Sequence, residues 1–399
     1  MKRDLRNLSG DVLGKIFPAG TTRREVTELH VHLGGSVPLY RLWEMGIARG
    51  IRGVGQNYEA FVQMFHRDAS ATGNLDRYLE IFDIVELIQA GPDAVAECIR
   101  IAINGAYRTG GMRKLGPGGE GGDPNPVFAV SRLELRFNPM KRSGVLFTRN
   151  GVQGLFDVDR IIRSACESAE ESSLAYRGAI KTGLVFCFGR DLAYEVNRTL
   201  AEKVQYWRKD YPNIVGVDLA GPESARSLAD AADLEKMAEL YDIAAGDDLG
   251  RTVHCGETTD ITIETFLNTV KMLRPHRVGH PITAIRAFFD DGDARALELL
   301  AEKGITVELC IHSNMLTRAV PDIAYYGRML ATFDQFGIPY TFSTDSPALQ
   351  LTTLASELEF LLSSGAGTPD QILRAFDNAD KGTFLNRKRD VSTSERSTQ

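Results

Sequence analysis

The chain has 399 residues, 43% of them hydrophobic and 25% charged, and a formal net charge of −7. That length suits one large barrel or two ordinary domains, with the composition of a globular protein. The acidic balance and the lack of a strongly basic stretch argue against nucleic acid or an anionic membrane as partner, and no uncharged apolar run is long enough to span a bilayer.

Residues 1–25 open with "MKRDLRNLSGDVLGKIF", which lacks an apolar core, and read as an N-terminal extension and not as a secretory signal. The first strand is expected at "VTELHVH" (26–32), which ends in His30 and His32. At i and i+2 those side chains project to one side of a strand. Residues 33–129 form an insertion after it. Within the insertion, "NLDRYLEIFDIVELIQ" (74–89) has amphipathic helical spacing, and 109–126 is too rich in Gly and Pro to pack. Helices over a barrel mouth and a flexible loop are therefore expected.

Seven further strand-like runs follow: "VSRLELRF" (130–137), "TGLVFCF" (182–188), "IVGVDLAG" (214–221), "RTVHCGE" (251–257), "RVGH" (277–280), "ITVELC" (305–310) and "PYTFSTDS" (339–346). Several are apolar at both parities, as in parallel strands buried on both faces. Helical spacing marks 232–245, 293–304 and 355–365, the last two ending in Gly304 and Gly365. This alternation of strand and helix predicts a (β/α)8 TIM-type barrel with a helical insertion over the C-terminal mouth. Residues 26–385 read as that single domain and 386–399 as a polar tail. Five cysteines, Cys98, Cys166, Cys187, Cys255 and Cys310, form no CxxC pair, so a reducing, cytoplasmic setting is expected. Nothing in the sequence speaks for or against a homo-oligomer.

The polar residues fall where such a barrel carries its chemistry, at the C-terminal strand ends. His30 and His32 end the first strand, His254 the fifth, His280 the sixth and Asp345 the eighth. His30, His32, His254 and Asp345 can supply nitrogen and oxygen ligands to one divalent metal, with zinc the best fit and iron or cobalt also compatible. His280 can orient or deprotonate a water, and Glu257, placed on the turn beyond the strand, can donate a proton. Cys255 and Cys310 read as packing residues, His66 and His276 as surface or helix residues, and His312 as either structural or a substrate contact.

Taken together, "ELHVHLGGS", "LELRF", "VDLAGPE", "HCGE", "RVGH", "SN" (313–314) and "STDSP" resemble the adenosine deaminase family of metal-dependent hydrolases, in the family's order from residue 28 to 347. The resemblance implies attack by a zinc-activated water on C6 of a 6-aminopurine nucleoside or nucleotide, with loss of ammonia. It implies that His30, His32, His254 and Asp345 bind one zinc ion and that Glu257 protonates N1. It further implies that His280 and Asp345 act on the attacking water and that the Gly221 amide contacts the purine.

The motifs depart from the family at substrate contacts. Gly34 stands where the family has an Asp that holds the sugar's 5′ end, which predicts open space there. Ser346 stands where the family has an Asp that bonds N7. A neutral bond contributes ~0.5–1.5 kcal/mol against ~1.5–3 for a charged one, so weaker action on adenosine is expected. Pro281 after His280, and Ile311-His312 after Cys310, alter the rim. His312, Arg190 or a lysine of the insertion are candidates to meet an anionic 5′ group. The competing readings are a related amidohydrolase acting on another ring C–N bond and a non-catalytic barrel that keeps the metal site.

Overall fold

The computed structural model describes residue 16 and residues 23–51, 53–55, 57–71, 75–109, 127–144, 146–148, 151–153, 155–246 and 248–387. Most of the expected extension 1–25, the glycine-rich loop and the tail lie outside them, as does the lysine of that loop.

Eight parallel strands form one sheet in the order β1 (Arg23–His32), β2 (Val127–Phe137), β5 (Lys181–Gly189), β6 (Ile214–Ala220), β7 (Gly250–His254), β8 (Arg277–Gly279), β9 (Thr306–Leu309) and β10 (Tyr340–Phe342). The short strands β3 (Leu146–Thr148) and β4 (Gly151–Gln153) form an antiparallel hairpin that the sequence reading did not anticipate. The sheet comes back on itself beyond β10. Val31 bridges Asp345, the His32 N–H donates to the Asp345 carbonyl at 2.7 Å, and the Asp345 N–H donates to the His30 carbonyl at 2.9 Å. The fold is thus a nearly closed TIM-type α/β barrel.

Helices α1 (Leu39–Ala48), α2 (Tyr58–Ala71), α3 (Leu75–Ile88) and α4 (Pro92–Thr109) fill the insertion. The remaining helices alternate with strands: α5 (Val158–Ala175), α6 (Tyr194–Trp207), α7 (Ala231–Ala245), α8 (Ile263–Leu273), α9 (Ile282–Asp291), α10 (Arg295–Lys303), α11 (Ile311–Leu316), α12 (Ile323–Phe336), α13 (Leu354–Ser363) and α14 (Pro369–Gly382). Local chemistry sets their ends. Asp230 caps α7 through its side chain, Thr353 and Thr368 make capping boxes on α13 and α14, and Gly304 ends α10 with φ 61°. None of the helices described is long and apolar enough to cross a membrane.

In β5 the run from Leu184 to Phe188 is buried at both parities, as expected of a strand covered by helices outside and side chains inside. In β2 the two faces differ. Leu133, Leu135 and Phe137 join the apolar core, while Glu134 and Arg136 alternate with them and reach across the barrel interior. Phe384, in the turn after α14, plugs the floor. A Cβ added at Gly250 would lie 2.1 Å from its ring atoms. Gly250→Ala is therefore expected to cost roughly 1–3 kcal/mol by overpacking, read as a lower urea midpoint with an unchanged slope.

Candidate metal and catalytic site

His30, His32 and His254 bring their ligand atoms within 4.8 Å of one another, and His30, His280, Cys310 and Asp345 form an overlapping group. His254 ends β7 as expected. His280 and Asp345 lie just past their strands with φ 54° and 61°, left-handed conformations that strand-end residues hold only when their surroundings fix them.

The imidazole geometry tests whether this group fits a metal. His30 Nδ1 faces Glu308 Oε2 at 2.7 Å and His254 Nδ1 faces Asp218 Oδ2 at 3.0 Å. A carboxylate accepts, so each Nδ1 carries a proton and each Nε2 presents a lone pair. Yet His32 Nε2 lies 3.2 Å from His30 Nε2 and 3.1 Å from His254 Nε2. One proton on His32 serves one of those contacts, never both. A cation among the three satisfies all of them, and tetrahedral ligation at ~2.0–2.1 Å would set nitrogens about 3.3–3.4 Å apart. Asp345 Oδ1, 3.7 Å from His32 Nε2, adds an oxygen donor. Three neutral nitrogens and a carboxylate fit a divalent metal ion.

For His30 and His32, electrostatics point the same way. Burial, the Arg136 charge and the neighbouring rings hold His30 well below the usual imidazole range, and burial pushes His32 down to about 3. Burial also disfavours charge on His254, but Asp218 outweighs it and raises its pKa. Burial would raise Asp345, but His32, His280 and the Ser313 hydroxyl bring it below the carboxylate range. Cys310 is pushed up by burial and stays a thiol, so it packs against the group without offering a thiolate.

Beneath the imidazoles lies a set of charges that the sequence reading missed. Glu134, Arg136, Asp218, Arg277 and Glu308 are each 0% exposed. Arg136 bonds Asp218 at 3.0 Å and Glu308 at 3.0 Å, and Arg277 meets Glu134 and Glu308 at 2.6 Å each. Asp218 and Glu308 thereby orient His254 and His30 as outer carboxylate partners.

Glu257 sits on the turn past β7, as expected. Thr317 donates to its Oε1 at 2.9 Å and Asn314 at 3.4 Å. Burial raises the Glu257 carboxyl, Asp345 and Glu223 push the same way, and His280 and Thr317 oppose them. Glu223 in turn accepts from the Gly256 and Thr258 N–H groups at 2.7 Å each, which fixes the turn. Asn314 also donates to His280 Nδ1 at 2.8 Å, and its Oδ1 accepts from Tyr326 at 3.0 Å. The "SN" motif contains Asn314 without giving it a role, and Tyr326 was not singled out in the sequence.

One cavity reaches these groups. His32, Gly34, Gly221, His254, Glu257, His280, Asp345 and Ser346 all line it, roofed by α3. Gly221 has φ 104°, a backbone state that its glycine permits.

The structure places further residues that the sequence singled out. The space beside Gly34 is filled, since an added Cβ would meet the Phe82 ring at 3.0 Å and Arg142 Nη2 at 3.3 Å. His312 is not among the lining residues. Its Nδ1 pairs with Glu357 at 2.8 Å, which turns the ring toward Phe360 on α13. Arg190 is 1% exposed and holds the carbonyls of Arg226 and His254, which commits its guanidinium to the backbone. His276, expected on the surface or on a helix, is half-buried just before β8 and accepts from the Arg251 N–H at 3.0 Å. His66 lies on α2.

Residues 129–396 match the sequence family described as adenosine deaminase. The chain is 22% identical over 358 residues to a probable adenosine deaminase of Dictyostelium discoideum, covering 90% of this chain and 40% of that protein. It is 30% identical over 178 residues to an adenine deaminase of Rhizobium rhizogenes, covering 45% and 50%. Against an adenosine deaminase of Edwardsiella ictaluri it is 25% identical over 364 residues, covering 91% and 95%. The chain therefore spans half or less of the first two relatives. In fold it is similar to an N6-mAMP deaminase of Arabidopsis (TM-score 0.67, 20% identity, 92% and 94% covered) and to a Burkholderia ambifaria amidohydrolase with bound zinc (0.70, 15%, 96% and 90%).

Asp218→Asn keeps the size of the side chain but weakens its hold on His254 Nδ1. It is expected to lower metal affinity about 10–100-fold, measured by competition with a chromophoric chelator on protein whose circular dichroism is unchanged.

Proposed function

We propose, from the premise that the chain belongs to the adenosine deaminase family, that it hydrolyses the C6 amine of a 6-aminopurine nucleoside to the 6-oxo product and ammonia. The observation that carries this reading is the three facing imidazole nitrogens, two of whose rings line the cavity that the buried acid Glu257 also lines. We assign zinc to His30, His32, His254 and Asp345. When bound, it lowers the pKa of a water so that a hydroxide nucleophile is available near neutral pH.

Glu257 supplies the proton for N1. Its burial keeps a carboxylic acid available where an exposed one would be ionised. Protonation at N1 draws electrons from C6, and that proton remains in the product's N1–H. Thr317 and Asn314 fix the carboxyl so that it meets the ring edge in plane. Because Asn314 donates to His280 Nδ1, the neutral ring carries its proton on Nε2, 3.6 Å from Asp345 Oδ2. Of the two roles expected for His280, this favours orienting the attacking oxygen by donation. Asp345 Oδ2 takes one proton of the water and delivers it to the departing amine, and the second proton of that water returns to Glu257 as the C6 carbonyl forms.

The sugar end of the cavity favours an uncharged 5′ group. Its cations sit beside carboxylates, Lys141 2.7 Å from Asp191 and Arg142 3.2 Å from Glu86, although Arg142 Nε and Nη1 have no hydrogen-bond partner among the described residues. Asp76, Glu80 and Asp83 line the same side and would repel a phosphate. On zinc-loaded protein, conversion of adenosine in an ultraviolet assay should exceed that of 5′-AMP. Glu257→Gln should keep its zinc and lose about 10²–10⁴-fold in kcat. Full activity in that variant would remove the acid role. No zinc-dependent turnover of any 6-aminopurine by the unaltered protein would remove the deaminase reading.

A further inference from the structure

A purine with N1 at Glu257 and C6 toward His280 and Asp345 must turn its C5–N7 edge to the other flank. Around the barrel, Glu257 follows β7 and His280 follows β8, while Asp345 and Ser346 follow β10. The second flank is therefore the β10 end with α3 above it. N7 has a lone pair in the ring plane and no proton, so it requires a donor, which an ionised carboxylate cannot be.

Three hydroxyl side chains line the cavity beside Asp345 and α3, those of Ser313, Ser346 and Tyr78, and Ser313 gives its proton to Asp345 Oδ2 at 2.6 Å. Ser346 gives its proton to Asp345 Oδ1 at 3.2 Å. It is also held in place, since a Cβ at Gly35 would lie 2.3 Å from Ser346 Cβ. Tyr78, on α3 and 4% exposed, accepts from Gln350 Nε2 at 3.0 Å. That bond occupies a lone pair of the phenol and leaves its proton to give. Turning the Gln350 amide over would let Tyr78 donate to it. It would also bury the amide NH2 where only the orphaned Oε1 now sits, the costlier arrangement. Burial and the nearby Asp345 charge keep the phenol protonated. While the cavity is empty, the adjacent Ser346 oxygen can accept the phenolic proton.

We propose that the Tyr78 hydroxyl, and not Ser346, is the donor that reads N7 of the substrate purine. This rests on the deaminase reading above and makes α3 a specificity element as well as a roof. It also removes the expected penalty for Ser346, because a neutral O–H is the group that N7 needs.

The test compares adenosine with 7-deazaadenosine, in which a C–H replaces N7, on zinc-loaded wild type, Tyr78→Phe and Ser346→Ala. Wild type should favour adenosine in kcat/KM. Tyr78→Phe should shrink that preference about tenfold or more by slowing adenosine alone, whereas Ser346→Ala should leave it within about twofold. A variant that is merely loosened would slow both substrates alike and would overturn the proposal. So would a preference lost in Ser346→Ala and kept in Tyr78→Phe. Equal use of the two nucleosides by wild type would overturn the Tyr78 assignment with the deaminase reading intact. Turnover of neither would overturn both.

Discussion

The site depends on two carboxylates held by arginines inside the barrel. Asp218 and Glu308 are fully buried, and a carboxylate buried there without a partner carries a large desolvation cost. Arg136 offsets that cost by bonding both, and Arg277 adds a second cation at Glu308. The charges are then free to act on His254 and His30, setting which nitrogen of each ring is protonated and which faces His32. Replacing the whole set by aliphatic side chains could give a sound barrel, since buried ion pairs are weak evidence for stability. It would not give three converging lone pairs.

The strands, and the five polar residues at their ends, were legible because period-two patterning and strand-end position are local properties of a sequence. The charged residues within the strands were equally visible. Glu134 and Arg136 interrupt "RLELRF", Asp218 "GVDL", Arg277 "RVG" and Glu308 "TVEL". A charge inside a strand meant to be buried on both faces is a signal of an interior network, but its partners lie on other strands and no local pattern names them.

What was not legible depends on packing between distant segments. The glycine at position 34 was read as open space, but a ring from α3 and the Arg142 side chain occupy it. The pairing of His312 with Glu357 spans 45 positions, and Arg190 reaches the His254 carbonyl across 64. No motif carries such partners. Tyr78 lies in an amphipathic helix, where an aromatic residue reads as core until the partners of its hydroxyl are known.

The seam of the barrel runs through the metal residues, and this has a consequence for how each molecule comes into being. His30 and His32 are near the start of the chain, whereas the residues that lock them are near its end. Ser343 accepts from the His30 N–H across 313 positions, and Glu28 holds Thr344 across 316. Contacts of such separation carry a large loop-closure entropy and form late. During synthesis the first strand must wait, its edge exposed, until the segment around Ser343 and Asp345 has left the ribosome. Catalytic competence is in this sense a completion mark: a partly made or prematurely ended chain can hold much of the barrel wall, yet has no means of assembling the reactive centre.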